Sequence, residues 1–72
     1  MVLGEIPKNK SQKIVVETRE YNGYPFTDIR IYHKERDGMW SATTKGVTVA
    51  PEKIGELINL LQKAEGEYGQ QA

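Results

Sequence analysis

The chain contains no cysteine, one histidine, one tryptophan and one phenylalanine among its 72 residues. Missing thiols exclude disulfides and thiolate metal sites together, and His33 alone makes no imidazole site. No metal and no cofactor is expected. Long apolar runs are missing too: no stretch approaches the ~20 apolar residues a membrane span needs. The opening MVLGEIPKNK lacks the apolar region of a secretory signal, so the expected location is cytoplasmic, nucleoid-associated if the source is bacterial. There is no excess charge either, ten Lys and Arg balancing ten Asp and Glu. A domain this short buries only roughly 60% of the surface its unfolded chain exposes. With disulfides and metals excluded, a second copy is the remedy left.

The charge that is present is unevenly spread. Residues 1–45 hold eight Lys and Arg against six acids, and residues 46–72 hold two against four. A mildly basic front and acidic back permit a local cationic surface on a neutral protein.

Residues 1–11 are polar, with Gly4 and Pro7, and are expected to form a flexible arm. KIVVETREY (13–21) alternates and is rich in β-branched residues, as strands are. Asn22-Gly23 is a strong hairpin signal, because a type I′ turn needs positive φ at both central residues. Phe26 to His33 is expected as the second strand, MWSATT (39–44) as a third and VTV (47–49) as a fourth, separated by Lys45-Gly46. From Pro51 the period changes. Ile54, Leu57, Ile58 and Leu61 fall at i, i+3, i+4 and i+7, an amphipathic helix opened by Pro51 and Glu52 and ended near Gly66. The expected fold is α+β: a four-stranded antiparallel curved sheet, then one C-terminal helix lying on one of its faces. Residues 12–66 form the single domain, and 67–72 a flexible tail.

A two-residue loop fixes the hairpin register. One face then carries Lys13, Arg19, Tyr21, Tyr24, Phe26, Arg30 and Tyr32, with Glu17 opposite Asp28 between the arginines. The other carries Ile14, Val16, Ile29 and Ile31, a core face for the helix. Isolated exposed aromatics need no explanation, but four rings on one hairpin face exceed what strand propensity requires. Like charges directly across strands are unfavourable, so Glu17 and Asp28 are expected in a small ion-pair lattice with Arg19 and Arg30. Such a lattice fixes flat cations beside rings, which makes a stacking platform for the bases of a single strand, tolerant of sequence. Tyr21→Ala and Arg30→Ala are both expected to weaken binding and spare the fold.

The order of motifs carries a resemblance. TDIRIY, a charged turn, then TKGVTVAPEKIGELINLL resembles the C-terminal domain of the transcriptional coactivator family called positive cofactor four and its bacterial relatives, over about residues 12–64. The resemblance implies a homodimer of ββββα subunits with helices at the interface and sheet grooves that bind single-stranded or melted DNA. It points to Arg19, Tyr21, Arg30 and Lys45. His33 stands where the eukaryotic member has tryptophan and Ser41 where it has lysine; Trp40 and His33 are the candidate replacement rings. The serine-rich regulatory region of the eukaryotic protein is not among these residues, so a kinase-controlled coactivator role is not expected.

The expected nucleic-acid contacts are therefore Lys13, Arg19, Tyr21, Phe26, Arg30, Tyr32, Trp40 and Lys45. Leu60 and Ala64 widen the apolar arc of the helix, so Leu57, Leu60 and Leu61 are expected at a homodimer interface. The partner is single-stranded DNA, with RNA and melted duplex open as alternatives, and the process transcription regulation or DNA maintenance. A protein-interaction module using the same Tyr, Trp and Arg face is the rival; a partner in the transcription machinery is unspecified. No enzyme is expected: arginines beside Glu17 and Asp28 lower carboxyl pKa values, the wrong direction for a general acid.

Overall fold

The computed structural model describes residues 1–69. Four strands make one open antiparallel sheet in the order β1-β2-β3-β4: Val2–Pro7, Gln12–Tyr21, Tyr24–Lys34 and Trp40–Val49. A 3-10 turn at Pro51–Lys53 leads into one helix, α1, Ile54–Gly69. The expected class holds, four antiparallel strands followed by a helix.

The central hairpin follows from two residues. Asn22 (φ 51°) and Gly23 (φ 82°) both lie in the left-handed region, as a type I′ turn demands. The register is the expected one throughout, from Tyr21 opposite Tyr24, through Arg19 opposite Phe26 and Glu17 opposite Asp28, to Lys13 opposite Tyr32. The β3–β4 turn uses Gly38 at φ 88°, with the Met39 N–H donating to Asp37 Oδ1 at 2.9 Å.

The amino-terminal segment is a correction. Residues 2–7, expected within a flexible arm, form strand β1 against β2. The pairing shifts between Val2 and Gly4, and this irregularity breaks the period-two alternation that identifies a strand. The polar residues after Pro7 are a turn, closed by the Lys8 N–H donating to Gln12 O at 3.0 Å and the Ser11 N–H to Asn9 Oδ1 at 3.0 Å.

The expected third and fourth strands are one strand, β4. Arg30 faces Gly46 and Tyr32 faces Ala42, so Ile31 alone stands opposite residues 43–45. A bulge of this kind bends a strand without ending it; the Lys45-Gly46 interruption is that bulge. The helix also continues past Gly66 to Gly69, so residues 67–69 of the expected tail are helical and 70–72 lie outside the described residues.

The largest difference concerns α1. It packs against the 3-10 turn at its base, and that turn against β3, rather than lying along the sheet. The molecule is splayed, 41 × 38 × 18 Å. No residue of α1 is buried; Leu60 and Leu61 are 61% and 59% exposed. The face of Ile14, Val16, Ile29 and Ile31, expected as the core, is only half-buried. Among the described residues the two that are buried, Val15 and Asp28, sit on the opposite face.

Candidate functional site

The face opposite the aliphatic one is built by alternation on β2 and β3 and extended by both edge strands. Register puts Val15 beside Arg30 and Glu17 beside Asp28, with Glu5 of β1 opposite Val15 and Gly46 of β4 opposite Arg30. Side chains of alternate residues share one side of a sheet. Lys13, Arg19, Tyr21, Phe26, Arg30 and Tyr32 therefore stand together as expected.

Asp28 is the centre of the arrangement, 1% exposed. Its carboxylate accepts from Arg30 twice, Nε to Oδ2 at 3.0 Å and Nη2 to Oδ1 at 2.9 Å. Paired parallel bonds of this kind fix the guanidinium plane as well as its charge. Arg30 Nη1 donates a further bond to the Thr43 carbonyl in the bulge at 2.9 Å. Three of its five N–H groups are thus committed, and two remain. Hydrogen bonding from Arg30 holds the Asp28 carboxyl below its ordinary value of 3.8, against the opposing effect of burial, with the Arg30 and Arg19 charges adding to the lowering. The reciprocal bond raises Arg30. Both groups stay ionised at neutral pH, and a carboxyl shifted downward is no general acid.

The second arginine is held loosely. Arg19 Nε lies 3.7 Å from Glu17 Oε1 and Nη1 4.0 Å from Asp28 Oδ2, with more than half of its side chain exposed. It resolves the like-charge pair, because one cation spans both carboxylates. The lattice expected from the sequence is present, with Arg30 held by paired short bonds and Arg19 by two longer contacts at the surface.

The bulge explains Gly46. A β-carbon there would lie 2.7 Å from the Ile29 carbonyl oxygen and 3.1 Å from both Cα and Cζ of Arg30. The carbonyl belongs to the ladder and cannot yield alone. Gly46→Ala is expected to lower the melting temperature by roughly 5–20 °C, from about 1–3 kcal/mol of overpacking in a domain of this size. Gly66→Ala, with nothing within 4 Å of the added carbon, is the control that should not fall. Thermal unfolding of both variants checks this, and an unchanged Gly46→Ala would refute it.

Trp40 opens β4, with Lys13 Nζ 4.4 Å from its ring centroid, inside the range of a cation–π contact. The same ammonium lies 2.9 Å from Glu5 Oε2. His33, opposite Ser41, falls by alternation on the aliphatic side, so of the two candidate rings it is Trp40 that joins this face. Lys45 lies in the bulge, its N–H donating to Thr43 Oγ1 at 3.2 Å; among the described residues no ion pair ties its ammonium to the others. At the hairpin end, Tyr21, Tyr24, Pro25, Phe26, Thr48 and Ala50 line an open cleft of about 600 Å³. Thr48 and Ala50 were not expected there, because their place beside Phe26 depends on how the bulge realigns β4. Glu5 was hidden by the reading of its segment as an arm.

The family of Transcriptional Coactivator p15 (PC4) matches residues 8–60. The chain belongs to this family. Among solved structures, the PC4 homologue BPSL1147 of Burkholderia pseudomallei is 28% identical. Its orthorhombic form superposes with a TM-score of 0.85 over 90% of this chain and 88% of that one. Its tetragonal form gives 0.84 over 90% and 96%. A bacteriophage T5 homologue of the eukaryotic PC4 coactivator, implicated in recombination-dependent DNA replication, is 15% identical, with a TM-score of 0.70 over 96% of this chain and 77% of that one; at that identity the likeness is one of fold. No curated protein matches the sequence. The PC4 match ends inside α1 and begins after β1, so Glu5 lies outside it.

Proposed function

We propose that this PC4-family protein binds single-stranded DNA with little sequence preference, as a homodimer, in transcription regulation or DNA maintenance. The observation that carries the reading is the locked guanidinium of Arg30, beside an exposed arginine and a row of rings on one sheet face. Cations fixed in place meet phosphates, while Tyr21, Phe26, Tyr32 and Trp40 offer π-faces to bases; stacking on such surfaces contributes about 1–3 kcal/mol per base. Arg19, Lys13 and Lys45 supply the remaining positive charge. The family's description as a transcriptional coactivator supports a role on DNA. The surface acts by binding and not by catalysis, close to the nucleic acid in the cytoplasm.

The homodimer rests on a separate observation. A helix that leaves its own sheet, Leu60 and Leu61 in solvent, and a half-buried aliphatic face on β2 and β3 are two apolar surfaces of one small chain. A second copy supplies each with the cover its own chain does not.

The test is a titration of labelled oligo-dT at several salt concentrations, with duplex and oligo-rU of equal length alongside. Preferred, salt-weakened binding of the single strand is expected, with a log–log slope of about −0.7 per phosphate contacted. Tyr21→Ala, whose side chain is 71% exposed, is expected to weaken binding about five- to 100-fold with an unchanged melting temperature. No binding at low salt would overturn the reading and favour a protein partner on the same face.

A further inference from the structure

Two kinds of acid stand on the cationic face, and they differ in how they are held. Asp28 is sealed, and both its oxygens are engaged by Arg30; nothing displaces it without loss of the sheet's centre. Glu5 is the reverse. Its side chain is 53% exposed, while that of its partner Lys13 is 16% exposed, at 2.9 Å. The pair is open to solvent on its carboxylate side, where water and salt screen it and the carboxylate can be exchanged for another anion.

Lys13 is held on its other side by Trp40, 4.4 Å from the ring centroid. One ammonium therefore occupies two things a single strand would use, the charge for a phosphate and a face of the indole for a base. Glu5 reaches this point because β1 is in register: Glu5 stands opposite Val15 and Pro7 opposite Lys13, and the Thr18 N–H donates to Met1 O at 2.9 Å beyond the irregularity. A carboxylate beside a lysine on a nucleic-acid face acts as an internal stand-in for phosphate.

We propose that Glu5 sets the affinity of the face for single strands by competing with a backbone phosphate for Lys13, and that Lys13 vacates the Trp40 ring when the phosphate takes it. The inference rests on the single-strand reading above. Glu5 is then an affinity-determining residue that lies on the strand outside the family match, and the β1 edge tunes a site whose cations are carried by β2 and β3.

The experiment is a two-by-two comparison of the full chain, Glu5→Gln, Lys13→Met and the double variant, read by anisotropy of labelled oligo-dT across a salt series, with thermal melts to confirm folding. Glu5→Gln is expected to bind roughly three- to tenfold tighter at low salt, with a log–log slope steeper by up to about 0.7, one phosphate contact. In the Lys13→Met background the same change is expected to have no effect, because the competition needs the ammonium. Binding by the parent with Glu5→Gln unchanged overturns the proposal and leaves the single-strand reading standing. Equal tightening with and without Lys13 also overturns it, since that is the signature of net charge alone. No binding by any of the four overturns both.

Discussion

Arg30→Met is expected to abolish detectable binding of a short oligo-dT and to lower the melting temperature, both from one atomic cause. The guanidinium is the locked cation of the face and also the donor of two bonds to a carboxylate that is 1% exposed. Removing it leaves Asp28 without its partner; an unsatisfied buried polar group costs on the order of 1–3 kcal/mol, more when charged. At roughly 4–8 °C per kcal/mol for a domain of this size, the melting temperature should fall by about 10 °C or more. This revises the sequence-level expectation that an Arg30 substitution spares the fold, since burial of Asp28 was not visible there. The separating variant is Arg30→Met with Asp28→Leu, which takes away both charges. Its melting temperature should recover most of the loss, because removing both partners of a buried pair is often close to neutral, while binding should stay lost. Recovery of binding, or an Arg30→Met protein as stable as the parent, would refute this account. The pH dependence has a fixed sign. The folded pKa of Asp28 lies below its ordinary 3.8, so the unfolded chain takes up its proton first on acidification. The stabilisation is whole above that ordinary value and is lost as pH falls through the folded one. The double variant should lack this component of the acid loss.

Leu60→Glu with Leu61→Glu is expected to turn a dimer into a monomer. The two residues are 61% and 59% exposed. Burying a leucine contributes about 1.5–3 kcal/mol, so losing two should weaken self-association by at least ~100-fold. Sedimentation of the parent should give twice the chain mass and that of the variant the chain mass, with a lower melting temperature because the aliphatic sheet face loses its cover. A parent that sediments as a monomer at tens of micromolar would overturn the homodimer, as would a variant that remains dimeric.

These two substitutions mark where sequence reasoning succeeded and where it stopped. The hairpin was legible because Asn22-Gly23 specifies a two-residue loop, and that loop fixes every pair from Tyr21–Tyr24 to Lys13–Tyr32. Alternation then assigned each residue to a face, and the Arg19–Glu17–Asp28–Arg30 lattice followed from charge alone. Strand β1 was illegible because an irregularity between Val2 and Gly4 breaks its period. The bulge of β4 read as a gap between two strands, since a sequence shows that the ladder is interrupted and not that it resumes.

The sequence by itself determined the register of the central hairpin and the β2–β3 part of the cationic face, because both depend on residues close together in the chain. Only the tertiary structure decided which groups are buried. It sealed Asp28 beneath Arg30, carried Glu5 to Lys13 and Lys13 to Trp40, and sent α1 away from the sheet. The helical stripe of Ile54, Leu57, Ile58 and Leu61 says that the helix has an apolar side to cover. It does not say whose surface covers it, because hydrophobic burial has no direction and is satisfied equally by the chain's own sheet or by another copy.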